Sequence, residues 1–392
     1  MAFSHYIRSG QKQLRCGYTT GTCAALAAAG AVRLLLTGEA PKTMRLLTPK
    51  GLMVEAPLQN VSTDGQTAQA AVEKDAGDDA DVTAGLLIYA AVSRVGTPEF
   101  QVDGGDGIGR VAKPGLDQPV GAAAINRVPR RMIQEAAAAE CAAAGYGGGL
   151  RIVISAPGGE ELARKTFNPS LGIEGGLSIL GTSGIVEPMS EQAIVDTIAV
   201  SLRQAAASGA KHIILTPGNY GMDFLRGQAE LRKVPWIKCS NFIGDALDIA
   251  ADGGFFQSIL FVGHIGKLVK LAGGVMNTHS KYADCRLELF CAHAALCGAD
   301  TETCHGLMQC TTTDGAIETL DRAGLRAPVL ASLLDAVQHH LERRAGGAYQ
   351  IGAVTFSNEY GLLGQTKTVE EILNRWNMEF FTGSASAPAT RN

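Results

Sequence analysis

The chain has 392 residues, 46% of them apolar and 18% charged, with a formal net charge of −4. That length suggests two or perhaps three domains of about 100–200 residues each; the apolar content excludes a disordered chain, and the acidic balance excludes a whole-protein basic field for nucleic acid. Glycine is in surplus at 48 residues, above the average usage of about 7%; with no three-residue period it excludes collagen and points to turns, helix ends and loops that approach ligands.

In chain order, the first residues carry no apolar core of a secretory signal. Thr19–Thr22 lead into an Ala/Leu helix that runs to about Leu36 and stops at Gly38. Segments 43–48, 52–58 and 67–73 read as strands, 82–91 as a helix, and Pro129–Ala144 as a helix ended by Gly145. The run Tyr146–Gly149 reads as a domain linker. Beyond it, short apolar runs at 151–155, 177–180, 212–216, 236–239 and 259–262 alternate with helical patterns at 190–207, 222–232, 243–252 and 266–273. That alternation predicts a parallel sheet covered on both faces. A longer helix at 281–298, a helical pair over 313–345 broken at Gly324 and Pro328, and a strand at 351–356 follow. The tail from Gly383 reads as disordered.

Nine cysteines without a C-x-x-C pair predict reduced thiols in the cytosol. The apolar stretches 23–36 and 257–276 are interrupted by charge and fall short of a membrane span. The expectation is a soluble, cytoplasmic protein with no nucleic-acid or membrane partner, and with homo-oligomerisation left open.

The glycines cluster at predicted strand ends, in 181–184, 217–221, 240–245 and 263–266. In an open α/β sheet these ends share one edge, where ligands bind. Four such turns in series favour a nucleotide-like or cofactor site, with ordinary tight turns as the alternative. Cys16–Ala25 is a Gly/Thr loop feeding a helix; it suits an anion or simple N-capping, and resembles the phosphate loop of kinases of the galactokinase–homoserine kinase type. Five acids crowd 73–81 without an EF-hand pattern. Residues 253–283 hold Lys267, Lys270, Lys281, His264 and His279 with no Asp or Glu. This basic zone suits a ligand with several carboxylates or phosphates, or is a solvated helix face. The run Gly104–Gly109 is a weak dinucleotide signal, and neither a P-loop nor a G-x-S-x-G element is present. His293 and Cys297 read as packing.

Several blocks together resemble the cobalt-precorrin-5B C1-methyltransferases of anaerobic cobalamin biosynthesis. They are Gly17–Cys23, Lys74–Asp79, Gly104–Arg110, Lys165–Pro169, Ser178–Thr182, Gly184–Ser190, Pro217–Gly221, Ser240–Asp245, Gly263–Lys270 and Met276–Lys281. The likeness runs from about residue 16 to 363. It departs from the family pattern near Ser170, where an arginine is usual, at Ala122-Ala123, where Glu-Pro is common, and at Arg127, where proline is. Arg127, Arg130 and Arg131 are nearby replacements for the missing arginine.

The resemblance implies methyl transfer from S-adenosyl-L-methionine to C1 of a cobalt-bound corrin precursor, giving cobalt-precorrin-6A. It implies an α+β N-terminal domain similar to one in ribosomal protein S5, over 1–147. A Rossmann-like cofactor domain with a C-terminal helical pair and strand would follow over 148–363, then a helix and tail over 364–392. With it come candidate roles. Gly181, Thr182, Gly184, Glu187, Gly218, Asn219, Tyr220, Ser240, Asn241 and Asp245 would hold the cofactor. Thr19, Thr20, Thr22, Asp106, Arg110, Lys267 and Lys281 would hold the tetrapyrrole, placed between the domains. His264, His279 and Asp106 are the candidates for removing a ring proton. Cobalt arrives inside the substrate, so no protein metal site is expected. The rival readings are a small-molecule kinase using Gly17–Thr22 for ATP, and a non-enzymatic tetrapyrrole carrier.

Overall fold

The computed structural model describes residues 3–9, 11–169, 171–228 and 230–376, so the expected disordered tail from Gly383 lies outside the described residues. The chain divides into two units, Met1–Ser190 and Glu191–Asn392.

In the first unit, Thr19 caps α1 (Thr20–Thr37), and Gly38 ends it in the left-handed conformation. Helix α1 is apolar on nearly every side because nearly every side is buried. It is long and apolar enough to cross a membrane by composition alone, yet it lies in the middle of the unit's core. A hairpin, Thr43–Leu47 with Met53–Pro57, follows as expected. Then come β1 (Gln59–Thr63), β2 (Thr67–Glu73), β3 (Leu87–Val95) and β4 (Phe100–Gly104). Helix α2 (Arg127–Ala143) packs on α1, and β5 (Gly149–Ser155) completes a sheet of order β1-β2-β3-β5-β4. All its pairs are antiparallel except β5 with β4.

Two expectations change here. The helix expected at 82–91 is a turn followed by β3. Ile88, Ala90 and Val92 alternate inward against the core, and period 2 is strand patterning that the alanines obscure. The expected linker at 146–149 leads straight into β5, which lies between β3 and β4. The run 151–155 therefore belongs to this sheet, and the first unit ends after Ser190 rather than at 147. The run 177–180 also stays here, joined by single bridges to Ile108 and Ile125.

The second unit opens with α3 (Glu191–Ala207), then β6 (His212–Thr216), α4 (Asn219–Arg226), β7 (Trp236–Lys238), α5 (Ile243–Gly253), β8 (Ser258–His264) and α6 (Ile265–Ala272). Four helices follow: α7 (Arg286–Leu296), α8 (Thr301–Gln309), α9 (Thr313–Arg322) and α10 (Arg326–Ala345). The chain closes with β9 (Gln350–Ser357), β10 (Gly361–Gln365) and α11 (Thr368–Arg375). The sheet order is β7-β6-β8-β9-β10, parallel throughout except for β10.

Both faces are covered, as the short apolar strands require. Ile213, Leu215, Ile259 and Phe261 face one core with α3, α5, α6 and α10. Ile214, Leu260, Val262 and Val354 face the other, with α4 and α11. The chain leaves β6 toward β7 on one side and leaves β8 toward β9 on the other. That reversal puts a crevice at the carboxyl ends of β6 and β8.

Candidate active site

At that reversal lies a cavity of about 570 Å³. Its walls come from segments at the ends of two parallel strands and from the openings of further helices. After β6, Pro217 and Gly218 lead into α4, with Tyr220 and Gly221 in its first turn. After β8, His264 caps α6, and Gly266 and Lys267 follow. Thr312 caps α9, with Thr313 and Asp314 behind it; Arg286 and Asn358 complete the wall.

The hydrogen bonds define what each group offers. The His264 Nδ1 accepts from the Gly266 N–H at 3.1 Å. The neutral ring therefore carries its proton on Nε2, and burial lowers its pKa. The ring stands edge-on to Phe356 and tilted against Tyr220, with centroids 5.6 and 5.9 Å away. Lys267 donates to the Asn241 Oδ1 at 2.8 Å, and burial lowers its pKa as well. Asp314 accepts from the Ser357 hydroxyl at 2.6 Å. Arg286 is held by Asp284 through two hydrogen bonds. Helix α4 has no side-chain cap, so the amides of its first turn are left for a ligand or water.

Of the sequence candidates, the cavity gathers Gly218, Tyr220, His264 and Lys267. Asn241 touches it through Lys267, and Asn219 is in the first turn of α4, where its Oδ1 accepts from Lys238. Ser240 sits at φ +53° in the turn after β7, and Asp245 in the first turn of α5. His279 is exposed in a turn, where its Nδ1 accepts from the Lys281 amide. Lys281 is exposed and ion-paired to Glu191, and Lys270 is buried on the carbonyls of Thr278 and Ala283. The basic zone thus resolves into one cation in the cavity and two used elsewhere. Sequence reasoning missed Arg286, Thr312, Thr313, Asp314 and Asn358. The Thr-Thr-Asp opening of α9 was the available signal, an N-cap followed by an acid in the first turn.

The first-unit candidates are employed differently. Gly181–Gly184 is not the end of a sheet strand; it plugs the N-terminus of α1. The Thr19 and Gly21 amides donate to the carbonyls of Gly184 and Leu180. The Thr22 hydroxyl donates to the Gly184 carbonyl at 2.7 Å, and the Leu180 amide donates to the Thr20 hydroxyl at 3.0 Å. All three threonines are buried, Thr22 completely. The anion cradle expected at Thr19–Thr22 is closed by the protein's own backbone. Thr182 is exposed, and Glu187 pairs with Lys50.

In the Gly104–Gly109 run, a Cβ on Gly107 would lie 1.9 Å from the Ala156 carbonyl oxygen. This is a chain crossing rather than a ligand loop. Asp106 is exposed beside it, and Arg110 pairs with Asp103 at 2.9 Å. In the acidic loop, Asp75 holds Arg15 and Asp81 holds the buried Lys74 at 3.1 Å. Of the replacement arginines, Arg130 donates to the Val102 carbonyl and Arg131 faces Glu135.

The second unit holds a further groove, of about 520 Å³, along α10 and β10; its charges, Asp321 and Arg326, neutralise each other at 3.2 Å.

Comparison with known proteins assigns residues 7–188 to the CbiD family model and residues 277–367 to the CbiD C-terminal domain. The chain is 45% identical over 353 residues to the cobalt-precorrin-5B C(1)-methyltransferase of Ruminiclostridium cellulolyticum, covering 90% of this chain and 91% of that one. The enzyme of the same name from Photorhabdus laumondii is 41% identical, with 92% and 95% covered. Among solved structures, a cobalamin biosynthesis protein (cbiD) from Archaeoglobus fulgidus matches at 29% identity and a TM-score of 0.39, covering 71% of this chain and 86% of that one.

Proposed function

We propose, from the premise that this chain belongs to the CbiD family of cobalt-precorrin-5B C(1)-methyltransferases, that it methylates C1 of a cobalt-bound corrin precursor in cobalamin biosynthesis and takes the methyl group from S-adenosyl-L-methionine. The supporting observation is the cavity at the sheet's reversal point. It has the size of small-molecule sites, about 300–1,000 Å³, and lies where open α/β sheets bind cofactors. Its sheet order suits a Rossmann-like reading of the second unit. The mostly antiparallel sheet under α1 and α2 suits the S5-like reading of the first. In this reading Gly218, Asn219, Tyr220, Ser240, Asn241 and Asp245 serve the cofactor, and Lys267 faces an anionic group.

S-adenosyl-L-methionine supplies a methyl group already activated on a sulfonium, so the chain's task is alignment and exclusion of water. Tyr220 and His264 offer a flat, partly apolar wall, and the free first-turn amides of α4 offer donors. His264 is poorly suited to take a proton, because doing so at Nδ1 breaks its cap on Gly266. It serves as a donor through Nε2–H.

Calorimetry tests the reading. S-adenosyl-L-homocysteine should bind and ATP should not, and labelled methyl groups should appear in a cobalt-corrinoid acceptor. Tight ATP binding with no response to the homocysteine analogue makes the protein a kinase. Binding without methyl incorporation makes it a carrier.

A further inference from the structure

The cavity wall carries two charges that no described residue pairs with ionically. Lys267 is the third residue of α6, where the positive end of the helix dipole opposes a cation. It is half-buried, and it donates a hydrogen bond to a neutral carboxamide, Asn241. Among the described residues no carboxylate lies within ion-pair distance of it. The other lysines nearby are served: Lys270 by two carbonyls and Asp284, Lys281 by Glu191. Asp314, the second residue of α9, is also half-buried. One of its oxygens accepts from Ser357, and among the described residues no cation pairs with it. Arg286, on the same wall, is already matched by Asp284.

A third group lies behind the cavity wall, packed on Gly221. The Thr216 hydroxyl is fully buried and has no hydrogen-bond partner among the described residues. It lies against Gly221, where a Cβ would come within 1.8 Å of its oxygen. An orphaned hydroxyl under the first turn of α4 marks this spot as one where a polar partner is missing.

A ligand with carboxylates alone would satisfy Lys267 and be repelled by Asp314. A cation alone would do the reverse. A group bearing both charges a few ångströms apart satisfies both. We propose that this cavity holds the α-amino-acid end of the methyl donor, with the carboxylate on Lys267 and the free amides of α4, and the ammonium on Asp314. The proposal rests on S-adenosyl-L-methionine being the donor. It places the nucleoside toward the rest of the sheet edge and makes Lys267 and Asp314 positioning residues for the reaction.

The experiment uses the full chain and two ligands. S-adenosyl-L-homocysteine carries the amino-acid end; 5′-methylthioadenosine has the same nucleoside and thioether without it. Calorimetry is run on the wild type, Lys267→Met and Asp314→Asn. Each substitution should weaken the homocysteine compound by about tenfold or more, the loss of a charge-assisted hydrogen bond. Each should leave methylthioadenosine within about twofold, which also reports an intact fold. The proposal is overturned if both variants keep wild-type affinity for the homocysteine compound, or if both ligands weaken alike. It is also overturned if only the KM for the corrin substrate rises, which gives the cavity to a substrate side arm. Those outcomes leave the donor assignment standing. Failure of the wild type to bind the homocysteine compound removes the donor assignment, and the proposal with it.

Discussion

The two units carry similar glycine-rich, charge-rich motifs and use them in opposite ways. At three motif glycines of the first unit the neighbour of the missing side chain is the protein's own backbone. Cβ atoms on Gly17 and Gly77 would meet the carbonyls of Asp75 and Arg15 at 2.2 Å, and one on Gly107 would meet Ala156. In the second unit a Cβ on Gly218 would meet no described atom within 4 Å. Charges follow the same division. Lys74 and Asp81 are closed on each other inside the first unit, whereas Lys267 and Asp314 face a cavity without ionic partners among the described residues. A glycine motif signals a ligand only where the space it opens is left unfilled, and a buried charge does so only where its partner is missing.

The largest test of this contrast is Asp81→Asn. Lys74 is almost wholly buried, with Asp81 at 3.1 Å. Burial pushes the Asp81 carboxyl up, but Lys74 and the bonds from Thr83 outweigh it and hold the carboxyl below its usual value. Removing Asp81 strands a buried ammonium and should cost about 3–5 kcal/mol in urea unfolding. The double variant Lys74→Met/Asp81→Asn removes both charges and should cost less than about 1.5 kcal/mol; Lys74→Met alone should fall between the two, because Asp81 keeps its bonds from Thr83 and some access to solvent. If Asp81→Asn proves harmless, the acidic loop is not structural and a ligand role for it reopens.

Gly107→Ala is the next largest. Gly107 sits at φ +71° with a carbonyl in the way, so strain and overpacking together should destabilise by about 2–4 kcal/mol. Gly181→Val belongs to the same class, since φ is +124° and Thr19 lies 2.4 Å from the added Cβ. Gly218→Ala, in extended backbone facing open space, should leave the urea midpoint unchanged and weaken ligand binding instead. Equal stability losses at Gly107 and Gly218 would erase the distinction between the two units.

What the sequence revealed, and what it hid, follows the range of each interaction. Helix α1, its Thr19 cap and its Gly38 stop are local and were legible, as were the short apolar strands at 212–216, 236–239 and 259–262. The cavity's first two segments, 217–221 and 263–267, were legible because a glycine-rich turn after a strand is also local. Three features were not. The closure of α1 by 180–184 joins residues about 160 positions apart, and nothing in either segment names the other. The strand at Leu87–Val95 hid behind alanines that suit a helix as well. Asp314 and Asn358 enter the site only because β9 pairs beside β8 and brings α9 to the edge, a fact of sheet order.

The smallest effect separates the units by pH. His212, His264 and His293 all belong to the second unit, and burial lowers the pKa of each; for His212 the nearby Arg375 and Lys211 add to it. A histidine depressed in the folded state binds its proton first in the unfolded chain. Stability from this source is therefore complete above about pH 6.5 and falls as the pH drops below it. The first unit's corresponding groups are carboxylates, Asp75, Asp81 and Asp103, each held below its ordinary value against the opposing effect of burial. Their contribution is present above about pH 3.8 and is lost only as the pH falls below it. Between about pH 6.5 and 4.5, hydrogen exchange should therefore show the second unit losing protection while the first keeps it. Each histidine should contribute less than about 1 kcal/mol, since all three are partly screened by solvent. His293, hydrogen-bonded to Ser332 and away from the cavity, is the one to change. His293→Gln should blunt the acid loss in the second unit alone, and equal loss of protection in both units would mean that the histidines do not set it.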